Sequence, residues 1–192
     1  MRKVKIALLL YVCFFLFYSA TPYERLVIPP ADKLIKYDLL PKEPERAIEP
    51  PRRNVPEEYR ELFADAADCA GIPPGALESI AWAESKFCAE AKSPEREDEN
   101  RDLGMFQFNS KYLDWYAGQY NRGIPLDPMI PAEAIGIAAK HIRFLYDRYG
   151  KWGDVLIAYN AGYGAVDREE IPESAIQYLL RIFEGKKSNG NL

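Results

Sequence analysis

The sequence predicts an all-α domain over residues 57–192, behind a charged-then-apolar leader at 1–20 and a proline-rich tether at 21–56. Three observations carry that reading. Arg2, Lys3 and Lys5 precede an uncharged, mostly apolar run from Ile6 to Ala20. Eight of the fifteen prolines fall between Pro22 and Pro56. From Pro56 onward, apolar residues recur at helical spacing. At 192 residues, the chain is long enough for one cored domain and too short for two large ones.

Basic residues followed by an apolar run form the n-region and h-region of an export signal. Ile6–Ala20 spans about 22 Å at ~1.5 Å per residue, short of the ~30 Å of membrane hydrocarbon. It reads as a cleaved signal peptide or, because bulky Tyr18 would occupy the −3 position of a cut after Ala20, as an uncleaved anchor. Either way the domain is expected outside the cytoplasm, in the periplasm or cell envelope, and membrane attachment through residues 6–20 stays open. Cys13 follows bulky Val12 within the apolar run and does not read as a lipid-attachment site. In the tether, Pro29-Pro30 and Pro50-Pro51 remove backbone donors and disfavour helix. It reads as a semi-rigid spacer or as a leader with no role beyond its length.

The formal charge of −4 is unevenly spread: residues 57–192 carry fifteen basic against twenty-three acidic side chains, a net −8. An acidic domain without a basic stripe repels polyphosphate, which excludes nucleic acid as a partner. One histidine, three cysteines without a CxxC pair and no HExxH provide no metal-ligand set. A Ser/His/Asp set would have to rely on His141 alone. The chemistry must run on carboxylates and hydroxyls, and neither metal nor cofactor is called for.

Pro56-Glu57-Glu58 opens a first helix, with acids at its positive end, and Leu62, Phe63, Ala66 and Ala70 form its apolar face. It stops at Gly71. Pro73, Pro74 and Gly75 make the turn into a second helix, Ala76 to about Phe87, forming an antiparallel hairpin. Cys69 and Cys88 then lie roughly 20 Å apart by helix rise and should be free thiols. Counting from Leu77, the positions i+3, i+4, i+7 and i+11 are Ile80, Ala81, Glu84 and Cys88, so Glu84 falls on the apolar face. A buried, unpaired carboxylate costs several kcal/mol. Glu84 must therefore be paired with a cation, carry a raised pKa, line a cleft or sit at the edge of the face.

Tyr112, Trp115, Tyr116 and Tyr120 form a helical stripe expected to face the core. A helix from Pro131 to Arg148 shows Ile135, Ala138, Ala139, Ile142 and Leu145 on one face, with His141 beside it as a structural or surface residue. Val155 to Asn160 is a further apolar helix, stopped by Gly162 in a manner that an ordinary Asn/Gly helix end also explains.

Glu84-Ser85, Gly104-Met105-Phe106-Gln107 and Ala158-Tyr159-Asn160-Ala161-Gly162, in that order and followed by Tyr178, resemble the soluble lytic transglycosylase (SLT) domain, a relative of goose-type lysozyme. Lys92-Ser93-Pro94 matches a further family segment, and the resemblance covers about residues 57–185. It implies a lysozyme-like helical domain with Glu84 as the catalytic residue. It also implies that Ser85, Ser93, Met105, Phe106, Gln107, Tyr159, Asn160 and Tyr178 bind substrate. Two departures stand out. GMFQ replaces the family's GLMQ, changing side-chain shape beside the glutamate. The charged run Pro94–Leu103 is longer than the family's loop. Within it, Asp98, Asn100 and Asp102 have the spacing of a calcium loop, but the glycine comes at position seven and position twelve is Asn109 in place of a glutamate, so it reads as a solvated loop.

Glycosidic cleavage needs an acid on the leaving oxygen, and ordinary hydrolases add a second carboxylate. Only Glu84 is clearly placed. The resemblance implies that the C6 hydroxyl of N-acetylmuramic acid attacks its own C1 at the MurNAc–GlcNAc β-1,4 bond, leaving a 1,6-anhydro end. Burial against Met105, Phe106 and Ala81 would keep the acid protonated near neutrality, as in lysozyme, where such a carboxyl is raised to about 6. Tyr159 or Tyr178 would orient it, and Ser93 and Gln107 would meet acetamido and hydroxyl groups. The expected partner is bacterial peptidoglycan. Two alternatives remain: a hydrolytic muramidase on the same fold, and a non-catalytic peptidoglycan-binding adaptor joined to an envelope-assembly protein, against which the intact Glu84, Gln107 and Tyr159 argue.

Overall fold

The computed structural model describes residues 49–184. The leader at 1–20, with its attachment segment 6–20, and the tether up to residue 48 lie outside the described residues. Among the described residues no helix is long and apolar enough to cross a membrane.

Pro56 opens the first helical segment as a 3-10 turn, Glu57–Tyr59, which runs into α1, Arg60–Ala70. Phe63 and Ala67 are buried, with Leu62, Ala66 and Ala70 packed at their flanks. Gly71, left-handed, closes the helix, and the amides of Gly71 and Ile72 donate to the carbonyls of Asp68 and Ala67. These two bonds satisfy carbonyls that a helix end leaves open. The next helix, α2, Pro74–Ser85, starts two residues before Ala76, because a proline in the first turn has no N–H to leave unpaired. It ends at Ser85, with Lys86 (φ 57°) and Phe87 (φ 65°) both left-handed. Cys88 is therefore off the helix and exposed, which corrects the helical count from Leu77. Cys69 is exposed as well, and both thiols are free. Alkylation without prior reduction should label both; finding the pair unlabelled would overturn this geometry.

Eight of the twelve α2 residues are buried, because the helix runs through the middle of the domain against α1, α4 and α7. The others are α3, Leu113–Tyr120; α4, Pro131–Tyr149; α5, Trp152–Ala161; α6, Tyr163–Asp167; and α7, Glu173–Glu184. Ile135, Ala138, Ala139, Ile142 and Leu145 of α4 are buried as their spacing requires, and His141 is buried with them. The helical architecture has one interruption. Asp102–Leu103 (β1) pairs antiparallel with Phe108–Asn109 (β2), and Lys92 bridges to Leu103, so the charged loop ends in a small sheet.

Two expectations fail. The aromatic stripe is core only in part: Tyr112, just before α3, is 52% and Trp115 40% exposed, whereas Tyr116 and Tyr120 are partly buried and pack against the core. The helix has eight residues and buries only Ala117, leaving most of its surface to solvent. The last residues of the tether also do not lead away from the domain. Arg52 grips the Glu78 carboxylate with Nε at 2.8 and 2.9 Å, and the Arg53 amide donates to the same carboxylate at 2.8 Å. Ser79 Oγ donates to the Pro51 carbonyl. The strap lies so close that a Cβ on Gly75 would come 2.2 Å from the Pro50 carbonyl oxygen. Arg52→Ala would leave Glu78, 1% exposed, with one backbone donor. Urea unfolding should show a loss of about 2 kcal/mol, reduced from the cost of a fully buried pair because Arg52 reaches solvent.

Candidate active site

Glu84 stands in the last turn of α2, where the left-handed Lys86 and Phe87 turn the chain away and leave the carboxyl at the helix end. The Ser85 hydroxyl donates to the Met105 carbonyl at 2.8 Å, tying this end to the turn between β1 and β2. That turn is built from its own backbone. Gly104 adopts φ 73° and its amide donates to Ala91 at 2.8 Å, while Gln107 adopts φ 51° and its side-chain amide donates to the Gly104 carbonyl at 2.8 Å. Met105 and Phe106 are fully buried, and Phe106 stacks on Phe63 at 6.0 Å. From α5, the Tyr159 hydroxyl donates to the Phe106 carbonyl at 3.0 Å. Three separate elements thus converge behind Glu84.

Burial raises Glu84 to about 7; the Tyr178 hydroxyl and Arg181 pull it down and Asp102 pushes it up. Desolvation outweighs the rest, and so the acid holds its proton near neutrality. Tyr178, 1% exposed, is held well above ordinary phenol values by burial and then by the nearby Glu84. Its hydroxyl lies within electrostatic reach of the carboxyl but makes no hydrogen bond of good geometry among the described residues. Such catalytic contacts commonly tighten only with substrate in place. Tyr159 is raised by the same two causes.

Asp102, the nearest competing carboxylate, is committed elsewhere. Arg96 pairs with it, Asn109 Nδ2 donates to it at 3.1 Å, and its own amide donates to Ser93 Oγ at 2.8 Å. Arg101 pairs with Glu95 in the same loop. His141 is held at about 4 by burial, with Nδ1 2.9 Å from the Tyr120 hydroxyl, so it is a neutral packing group.

Several expected substrate contacts require correction. Met105, Phe106 and Tyr178 are 0%, 0% and 1% exposed, so their side chains belong to the core and do not face a ligand. The Ser85 and Tyr159 hydroxyls each donate to a backbone carbonyl, which leaves their oxygens as acceptors. Gln107 braces its own turn through its amide nitrogen, leaving its oxygen free. Ser93 is partly exposed and pins β1, whereas Asn160 is exposed at the end of α5 with its side chain unengaged among the described residues. Two site residues were missed. Tyr116 is pushed up to about 12 by burial, then by Asp102 and Glu84, which places it in the field of both carboxyls. Arg181 lies one helical turn beyond Tyr178, a spacing that puts both on one face and could have flagged it.

A cleft of about 460 Å³ opens between the strap, α1 and α2, lined by Arg52, Arg53, Arg60, Asp68 and Glu78, and its lining does not include Glu84, Tyr159 or Tyr178.

The model of the family described as "Transglycosylase SLT domain" matches residues 61–176. Over 150 residues, 71% of this chain, the sequence is 34% identical to peptidoglycan transglycosylase gp16 of Escherichia phage T7. The fold resembles the 70 kDa soluble lytic transglycosylase SLT70 of Escherichia coli, with a TM-score of 0.56 at 22% identity over 65% of this chain. It also resembles an inactive mutant of lytic transglycosylase Slt from Pseudomonas aeruginosa, with a TM-score of 0.51 at 19% identity over 69% of this chain. The match takes in 11% of the phage protein and 22% of each solved chain.

Proposed function

The chain belongs to the transglycosylase SLT domain family, and from that premise we propose that it is a lytic transglycosylase cleaving the MurNAc–GlcNAc β-1,4 bond of peptidoglycan, with Glu84 as its general acid and base. The observation that carries this reading is the state of Glu84, a carboxyl raised to about 7 by burial. Its nearest competitor, Asp102, is tied to Arg96 and Asn109.

The protonated Glu84 gives its proton to the glycosidic oxygen as the bond to C1 of the muramic ring breaks. The resulting carboxylate then takes the proton from the C6 hydroxyl as that oxygen bonds to C1. The proton count returns to its start, no water is consumed, and the product is a 1,6-anhydro end. Tyr178 stands where it can hold the carboxyl in position, and burial keeps water from stabilising the charged form. Asn160, Ser93 and the free oxygen of Gln107 are the polar groups available to the glycan. The exposed rings of Tyr112, Trp115 and Tyr163 offer apolar faces to sugar rings. Action outside the cytoplasm, where peptidoglycan lies, is part of the proposal and rests on the leader at 1–20.

Mass spectrometry of digested glycan strands tests the reading. Ends lighter by one water than the hydrolysed equivalents are expected. Reducing ends would mean that water is activated, with Asp102 or Glu99 as the suspect base, and would replace the reading with a muramidase. Binding without cleavage would replace it with the adaptor.

A further inference from the structure

Two cations sit over Trp82 at the C-terminal end of α2, and a third lies close enough to Lys86 to act on its charge. Lys86 Nζ lies 3.1 Å and the Arg53 guanidinium carbon 4.4 Å from the centroid of the Trp82 ring. On α7, the Arg181 guanidinium lies 5.7 Å from the ring centroid of Tyr178, whose hydroxyl faces Glu84. Burial, then Arg181, then Arg53 lower the proton affinity of Lys86, so the three charges sense one another.

This concentration of charge is uncompensated. Among the described residues none of the three forms an ion pair, although seven other arginines do. Acidic side chains are plentiful on a domain of net −8, yet these three neighbouring cations form no ion pair among the described residues. Two helix ends meet part of the demand. Lys86 caps α2, and Arg53 donates to the Ile182 carbonyl in the last turn of α7. Each helix end supplies roughly half a negative charge, about one in all against three positive ones. Glu84 adds none while it holds its proton. Arg53 Nε, moreover, is buried without a hydrogen-bond partner among the described residues.

We propose that Lys86, Arg181 and Arg53 form a carboxylate-binding subsite beside Glu84, which takes the free carboxylates of the peptide stem carried by the glycan strand. The inference rests on the reading of the substrate as peptidoglycan and adds what that reading lacks, a contact to the peptide.

The test uses the full chain carrying Glu84→Gln. Calorimetry compares a disaccharide tetrapeptide with the same compound whose stem carboxylates are amidated. The free acid should bind about tenfold tighter, the scale of one hydrogen bond to a charged group, and the gap should narrow with added salt. Adding Lys86→Met and Arg181→Gln together should bring the ratio near one. The ligand comparison needs no change at the subsite, so it decides even if that variant does not fold. Equal binding of the two compounds, or binding of neither, overturns the subsite. A tighter free acid with no cleavage by the unmodified chain supports the subsite and overturns the catalytic reading instead.

Discussion

Glu84→Gln should lower turnover by about a thousandfold or more, the upper range for loss of a general acid and base, while making the protein more stable at pH 8. The folded state holds the Glu84 proton up to about pH 7, whereas the unfolded chain releases it near the ordinary 4.5. Between those values the folded state binds more protons, so the contribution of this group is fully present below about 4.5, falls as pH rises towards 7, and is lost above it. Glutamine never ionises. The variant should therefore match the parent in acid and exceed it by about 3 kcal/mol above neutrality, as melting followed from pH 4 to pH 8 would show. In the parent, kcat/KM should fall about tenfold per pH unit once the acid is deprotonated. A variant that is less stable at pH 8 would put Glu84 in an ion pair, and one that still cleaves glycan would remove it from the chemistry.

Gly104→Ala should cost about 4 kcal/mol and take activity with it. Two penalties coincide at this position. The backbone sits at φ 73°, where an alanine is strained, and its Cβ would lie 1.9 Å from the Pro128 carbonyl oxygen and 2.8 Å from the carbonyl carbon. Both are backbone atoms that cannot swing aside. Relief requires the β1–β2 turn to move, and that turn carries the Met105 carbonyl that holds Ser85, the neighbour of Glu84. Gly136→Ala is the matched control, since it lies within α4 with nothing within 4 Å of the added methyl, and it should be neutral or mildly stabilising. Urea titration of the two side by side tests this. Equal stability would mean that the Pro128 segment yields freely.

Spacing singles out Glu84, because one carboxylate on an apolar stripe is conspicuous even in a single sequence. It leads past Glu78. Counted from Leu77 that residue falls off the stripe, yet it is 1% exposed, because a helix running through the middle of a domain buries nearly all its faces and periodicity stops discriminating. Glu78 is tolerated inside by Arg52 and the Arg53 amide, whose positions depend on the fold of a segment read as tether. That misreading has a physical source. A proline lacks a donor, which argues against helix and strand, but it keeps its carbonyl, and the carbonyls of Pro50 and Pro51 are the groups that meet Gly75 and Ser79. The stripe on α3 marks a face without saying what covers it. The support of Glu84 by Ser85, Gln107 and Tyr159 runs through backbone carbonyls, for which side-chain patterns carry no signal.

The burial of His141 makes proton counting in this chain unusually direct. It is the one histidine of 192 residues, and with its value at about 4 it stays silent through the neutral range in which imidazoles ordinarily titrate. Glu84, at about 7, occupies the window that histidine has vacated. Calorimetric binding heats measured in buffers of different ionisation enthalpy give the number of protons exchanged with solvent when a ligand binds. Between pH 6 and pH 7.5 that number follows chiefly the occupancy of Glu84, with no imidazole to subtract.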